Sequence, residues 1–264
     1  MKNKSQFSAQ DIHDLSYPDF VAFINQKNTP PGGELTTTLW TEKAGINKNS
    51  FILDLACTTG FSSRTISKIT GCKGFGIDIS EEAIKGAQKE AETNGLKDLI
   101  YKTADACDLP FDDQAFTHIL GGCNFSFIRD REIALRECSR TLSEYGILCI
   151  SSFYYSKEPP QQLLDDVNEA IGFKPDSEWT ADFWDRLFST QFSKEWEDHY
   201  DLPMYESEAI ENLIKNQIYT KELRRKINDD EILDACYERL LKIRLILNNH
   251  RNYQRFCIQA WRKK

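Results

Sequence analysis

The chain has 264 residues, 40% hydrophobic and 28% charged, with a net charge of −8 at pH 7. Such a composition belongs to a globular protein long enough to bury an α/β core with an insertion. It excludes a membrane span, since no apolar run approaches the roughly 18 residues required, and its acidity disfavours a large polyanionic partner.

The opening MKNKSQFSAQD has no apolar leader, so a cytoplasmic protein is expected. In the first 30 residues Phe20, Phe23 and Ile24 stand at helical spacing. Thr29-Pro30-Pro31-Gly32-Gly33-Glu34 is a loop, either a plain turn or the approach to a ligand site. Leu35 to Ala44 follows as a helix. The next stretch, FILDLACTTGFSSR (Phe51 to Arg64), is the most informative in the chain. An apolar run (Phe51, Ile52, Leu53, Leu55) ends in the small residues Ala56, Cys57, Thr58, Thr59 and Gly60, then in a polar helix start. A strand entering a tight turn and then a helix opens a nucleotide-type site: small side chains admit a ligand to the backbone, and the helix start offers free N–H groups.

The alternation then continues. A helix is predicted over Ser62 to Thr70 and a second strand over Gly74 to Asp78, which sets an acid where a ribose diol is usually held. Ser80 caps the next helix, which Gly95 ends. Leu99 to Lys102 and Phe116 to Leu120 are strands, Arg131 to Leu142 a helix, and Ile147 to Phe153 the fifth strand. Connections this short imply parallel strands and right-handed crossovers. Residues 156–204 break the pattern with acids and aromatics, including Trp179, Phe183, Trp184, Phe188 and Trp196. After them come a helix (Glu206 to Asn216), a sixth strand (Gln217 to Lys226), a helix (Asp229 to Asn249) and an antiparallel edge strand from Tyr253 to Trp261. The expected division is a helical cap over 1–45, a core over 46–155, a helical insertion over the active site at 156–204, and completion of the sheet by 205–264.

The eight cysteines form no C-x-x-C pair, and the four histidines are scattered, so free thiols and no zinc site are expected. Residues 158–211 carry 15 acids against 3 bases, and residues 221–264 carry 12 bases against 6 acids. An acidic segment lying over a pocket would favour a neutral or cationic acceptor; an ordinary solvated surface is the other reading.

FILDLACTTGFSSR resembles the first motif of class I S-adenosylmethionine-dependent methyltransferases of the small-molecule type, GFGIDIS (Gly74 to Ser80) their second, and ADACDLPFDDQAFTHIL (Ala104 to Leu120) their third and fourth. The resemblance implies a doubly wound, Rossmann-like α/β fold, with a mostly parallel seven-stranded sheet, an antiparallel last strand and a helical insertion after strand five. It implies S-adenosylmethionine as donor, S-adenosylhomocysteine as product, and a small-molecule acceptor. The turn Ala56-Cys57-Thr58 to Gly60, with Asp54, would face the methionine half. Asp78 would hold the ribose, Ile79 would pack on the adenine, and Asp105 with Ala106 would read its amino group. Cys123 would line the methyl channel. Asn124, Tyr154, Tyr155 and Trp184 are candidates for the acceptor pocket, and His199 is a weak candidate for a base. Ala56 and Thr58 depart from the family, which has glycine there, and a β-branched residue resists the positive φ such a turn can need. The turn runs differently, sets the cofactor further out, or is a relic that no longer binds it.

Methyl transfer from a sulfonium is an in-line displacement from an activated donor, so no nucleophile need be visible in the sequence. A nicotinamide dehydrogenase is disfavoured because no G-x-G-x-x-G follows the first strand. A base-methylating enzyme is disfavoured because Gly121-Gly122-Cys123-Asn124 replaces an Asn-Pro-Pro-aromatic motif. An RNA-directed methyltransferase, a cofactor-binding module without catalysis and a homodimer stay open.

Overall fold

The computed structural model describes residues 7–24, 26 and 29–264. In chain order the first elements are α1 (Ala9–Asp14), α2 (Tyr17–Phe23), α3 (Glu34–Lys43), β1 (Phe51–Leu55), α4 (Phe61–Thr70), β2 (Lys73–Asp78), α5 (Glu81–Thr93), β3 (Leu99–Thr103) and β4 (Phe116–Gly122). A 3-10 turn at Asn124–Ser126 precedes α6 (Arg131–Thr141), β5 (Leu142–Tyr155), α7 (Gln161–Ile171), α8 (Ala181–Phe188) and β6 (Phe192–Asp201). The last elements are α9 (Ser207–Ile218), α10 (Lys221–Ile227), α11 (Asp230–His250) and β7 (Gln254–Lys263).

Two compact units result. One comprises residues 27–154, 179–201 and 255–264, the other residues 1–26, 155–178 and 202–254. The first holds nearly the whole of a seven-stranded sheet in the order β3-β2-β1-β4-β5-β7-β6. β1 pairs in parallel with β2 and β4, and β2 with β3, as the expected Rossmann-like fold requires. β7 runs antiparallel to β6. Strand order reverses between β1 and β4, so the crevice beyond their carboxyl ends is the natural ligand position. Ile52, Leu53, Asp54 and Leu55 of β1 are all buried, as befits a strand covered on both faces.

The second unit is helical. Its core gathers Ile12, Phe20, Ile210, Ile214, Leu233 and Leu240 from α1, α2, α9 and α11. Arg239 of α11 donates to the carbonyls of Ile12 and Leu15 and lies over the Phe20 ring, tying α1 and α2 to it.

Two expectations are corrected. Gln217 to Lys226 is not a strand: Thr220 caps α10, and Leu223 and Ile227 bury at the i, i+4 spacing of a helix. The sixth strand is Phe192–Asp201, inside the segment expected to be a helical insertion. It lies at the sheet edge, where a strand needs one partner and tolerates charge. Its register runs from Phe192↔Lys263 to Asp201↔Arg255. Of residues 205–264, the last strand alone completes the sheet. No helix among the described residues is long and apolar enough to cross a membrane. All eight cysteines are free thiols.

Candidate functional site

The site is built on the turn after β1. Ala56 and Thr58 adopt positive φ, 48° and 47°, and Gly60 follows at 71°. The turn thus takes the left-handed path that glycine would take, and the two non-glycine residues carry the strain of it. Three contacts hold it there. The Cys57 N–H donates to the Ile77 carbonyl (2.8 Å), the Gly60 N–H to the Cys57 carbonyl (2.7 Å), and the Thr58 N–H to Asp78 Oδ2 (3.0 Å). A third strained residue, Cys123 (φ 65°), lies just past the end of β4. Strained non-glycine residues gather at functional sites, and three of the five among the described residues stand at the ends of β1 and β4.

Under the turn, Asp54 is buried. Its Oδ2 accepts from the Ser63 N–H (3.0 Å) and from Ser63 Oγ (2.6 Å), and that hydroxyl is 3.0 Å from the Tyr101 hydroxyl. Burial pushes the Asp54 carboxyl up to about 6, against the lowering effect of the Ser63 bonds and Arg64. Tyr101 packs so closely on Gly60 that a Cβ there would stand 2.6 Å from its hydroxyl. Asp78, at the tip of β2, uses its other oxygen to accept the Ser80 N–H (2.9 Å). A carboxylate has about four lone-pair sites, so two remain for ligand hydroxyls. The Ile79 side chain is 77% exposed, an open apolar surface beside the acid.

Beyond the turn is an open cleft of about 310 Å³, lined by Thr29, Pro30, Asp54, Ala56, Thr58 and Phe61, among others. Pro30 presses on Gly122, where a Cβ would come within 2.8 Å of the Pro30 Cβ. Asn124 is buried and donates its amide to the Leu55 carbonyl (2.5 Å), bridging the ends of β1 and β4. Asp105 is exposed, and its Oδ1 accepts the Cys107 N–H (2.8 Å) in a local turn, with Ala106 buried beside it.

The residues expected at the cofactor therefore gather at the ends of β1, β2 and β4, with Asp105 and Ala106 past β3. Of the acceptor candidates, Asn124 stands with them, while Trp184, Tyr155 and Tyr154 are held by other partners. Trp184 is wholly buried; its Nε1 donates to the Phe153 carbonyl (3.0 Å) and its ring packs on Phe183 and Phe188, so it is a core residue and not a pocket wall. Tyr155 belongs to the helical unit, where its hydroxyl meets His250 Nε2 at 2.6 Å. Tyr154 is buried and pairs with His199 Nδ1 at 2.8 Å, while His199 Nε2 is 3.3 Å from Glu197. His199 sits on β6, three strand spacings from β4, or about 14 Å at ~4.8 Å each, too far to serve as a base at the crevice. Some acids of the segment are paired, as in the Lys194 contacts with Asp185 (2.5 Å) and Glu197 (2.9 Å). Thr29, Pro30, Phe61 and Tyr101 were not singled out from the sequence as site residues. The Pro-Pro-Gly-Gly loop was the one available signal for Pro30; for Tyr101, an apolar position in a strand, there was none.

A family model described as a methyltransferase domain matches residues 46–226. The crystal structure of the MccD protein superposes with a TM-score of 0.80 and 43% identity over 90% of this chain and all of that one. A demethylmenaquinone methyltransferase of Staphylococcus carnosus is 34% identical over 110 residues, 40% of this chain, which spans 45% of that enzyme's length. The [4+2]-cyclase SpnF shares the fold, with a TM-score of 0.65 at 17% identity over 88% of this chain and 80% of that one. The chain belongs to the methyltransferase-domain family and is an enzyme of the class I S-adenosylmethionine-dependent type.

Proposed function

We propose that the enzyme transfers a methyl group to a small-molecule acceptor by in-line displacement. The observation that carries this reading is the strained turn from Ala56 to Gly60, tied to Asp78 through the Thr58 N–H. It keeps the left-handed path without the glycines that make such a path easy, which is a constraint worth keeping only if a ligand uses the surface. The donor set fits the cofactor. Asp54, in the cleft, suits the ammonium of the methionine half. The two open lone-pair sites of Asp78 suit the ribose hydroxyls, the exposed Ile79 suits one face of the purine, and Asp105 with the Ala106 backbone suits its amino group.

S-adenosylmethionine, when bound, supplies a methyl carbon on a sulfonium, already activated toward a nucleophile. The chain's own contribution is to hold, align and exclude water, an effect of up to about 7–11 kcal/mol in well-oriented systems. Pro30 against Gly122 and Asn124 across the ends of β1 and β4 shape the wall beside the turn. The small-molecule reading is supported by the named demethylmenaquinone relative and by the chain's net charge of −8.

A donor labelled in its methyl group, incubated with the protein and a panel of metabolites, tests the proposal. The expected result is label in a low-molecular-weight product with equimolar S-adenosylhomocysteine. Release of 5′-methylthioadenosine, with the methyl label retained on it, would mean that another carbon of the sulfonium is transferred. Label in added RNA would favour the RNA-directed alternative.

A further inference from the structure

Asp105 and Ala106 lie on the segment between β3 and β4, which has no regular structure of its own beyond a bridge from Asp105 to Asp108. What fixes that segment is the last turn of α6. Arg140 Nε donates to Glu137 Oε1 (2.8 Å). Its Nη1 donates to the Phe111 carbonyl (2.8 Å) and Asp113 Oδ1 (2.9 Å), and its Nη2 to the Leu109 carbonyl (3.0 Å) and Glu137 Oε2 (2.7 Å). A guanidinium has five N–H donors, and each is used. Glu137 Oε2 also accepts the Leu109 N–H (2.9 Å), so both backbone groups of Leu109 are held by one ion pair. The Gln114 N–H closes the far end on the Arg140 carbonyl (2.9 Å), where the backbone turns left-handed at φ 59°.

We propose that Arg140 and Glu137 are the positioning pair for the adenine end of the cofactor site, and that they set its selectivity for the purine amino group. The inference rests on the reading above in which Asp105 and Ala106 meet the adenine. With every donor engaged inside the protein, Arg140 has none left for a ligand, so its influence passes through the segment it holds. Leu109 is buried and stands four residues from Asp105, whose Oδ1 accepts the Cys107 N–H in its own turn while its second oxygen keeps lone-pair capacity for a ligand. Freeing Leu109, Phe111 and Asp113 together lets that oxygen wander, and a misplacement of about 1 Å is enough to lose a directional contact. The carboxylate partner and planar fork explain the residue type: lysine keeps the charge but offers three donors in place of five. The hydrogen-bonded Arg140 in turn holds the Glu137 carboxyl below its ordinary range.

The test compares the affinities of S-adenosylhomocysteine and S-inosylhomocysteine, whose base carries an oxygen in place of the amino group, by calorimetry on the full chain. Wild type should prefer the adenosyl compound by roughly tenfold, the scale of one lost hydrogen bond. Arg140→Lys should narrow that preference to within about threefold, with the inosyl affinity little changed. Glu137→Gln, which keeps an acceptor for the Leu109 N–H, should retain more of the preference than Glu137→Ala. Equal weakening of both ligands in Arg140→Lys, with the wild-type ratio intact, would mark a purely structural role and overturn the inference. A wild-type protein indifferent to the two ligands would instead overturn the adenine assignment, and the positioning role with it. Should Glu137→Ala fail to fold, the Arg140→Lys and Glu137→Gln variants still decide the question.

Discussion

Thr58 offers the sharpest test of the strained turn. Its φ of 47° places a β-branched residue in a region that costs about 1–2 kcal/mol for an ordinary L-residue, and about 1–3 kcal/mol at strained sites in general. Thr58→Gly removes that cost and keeps the N–H that donates to Asp78 Oδ2. Against it stands the extra freedom of glycine in the unfolded chain, about 0.5–1 kcal/mol. The difference is a net gain of roughly 1 kcal/mol, equal to a rise of about 2–4 °C in Tm for a chain of this size. Urea unfolding followed by fluorescence, with an unchanged slope, would measure it. Thr58→Ala should fall between, because it sheds the β-branch and keeps a Cβ. The same freedom should weaken cofactor binding a few-fold, since the turn is then ordered on binding and not beforehand. If Thr58→Gly instead lowers stability by about 1 kcal/mol, as glycine does at unstrained sites, the strain is not there and the reasoning from it fails.

Asp78→Asn should weaken cofactor binding by roughly 1.5–3 kcal/mol and lower the melting temperature as well, because an amide turns a donor toward one of the two N–H groups that the carboxylate accepts; calorimetry and a thermal melt separate the two effects. Asp54 should couple cofactor binding to pH. Its folded-state value of about 6 stands above the ordinary 3.8, so the free protein holds this proton more tightly than the unfolded chain, and stability falls as pH rises from about 4 to 6. A cationic ammonium reverses that preference, so binding near pH 6 should release protons, seen as a buffer-dependent heat that disappears in Asp54→Asn; proton uptake would contradict the placement of the ammonium. Gly122→Ala sets a methyl about 2.8 Å from Pro30 and should lower cofactor affinity by displacing the proline from the cleft wall. Tyr101→Phe should cost about 1 kcal/mol of stability through the lost contact with Ser63, with no change in the base preference that Arg140 governs.

What could be read in the sequence, and what could not, follows from how each feature is encoded. The strand–turn–helix at Phe51 to Arg64, the acid at Asp78 and the alternation through Ile147 are local patterns: period, caps and turn residues lie within a dozen positions of one another. The cofactor side of the site was legible for that reason, down to the anomaly at Thr58, although the sequence alone left open whether the turn would run differently. β6 was hidden because an edge strand shows one weakly buried face and accepts the Glu, Asp and Lys residues that suggest an exposed insertion. α10 was misread because seven residues are too few for period 3.6 to stand out against period 2, and its cap at Thr220 was the better clue. Trp184 failed as an acceptor candidate for a different cause. Aromatic composition names residues that like to be buried, and Trp184 answered by entering the core; no local rule says which face of a sheet an aromatic will take when the partner helix is itself uncertain. Arg140 shows the limit most plainly. Its five acceptors lie at positions 109, 111, 113 and 137, and their convergence on one guanidinium exists only once α6 has met the segment that precedes β4. Positioning residues of this kind touch no ligand and belong to no motif, so the sequence can reveal the groups that face the cofactor well before it reveals what keeps them there.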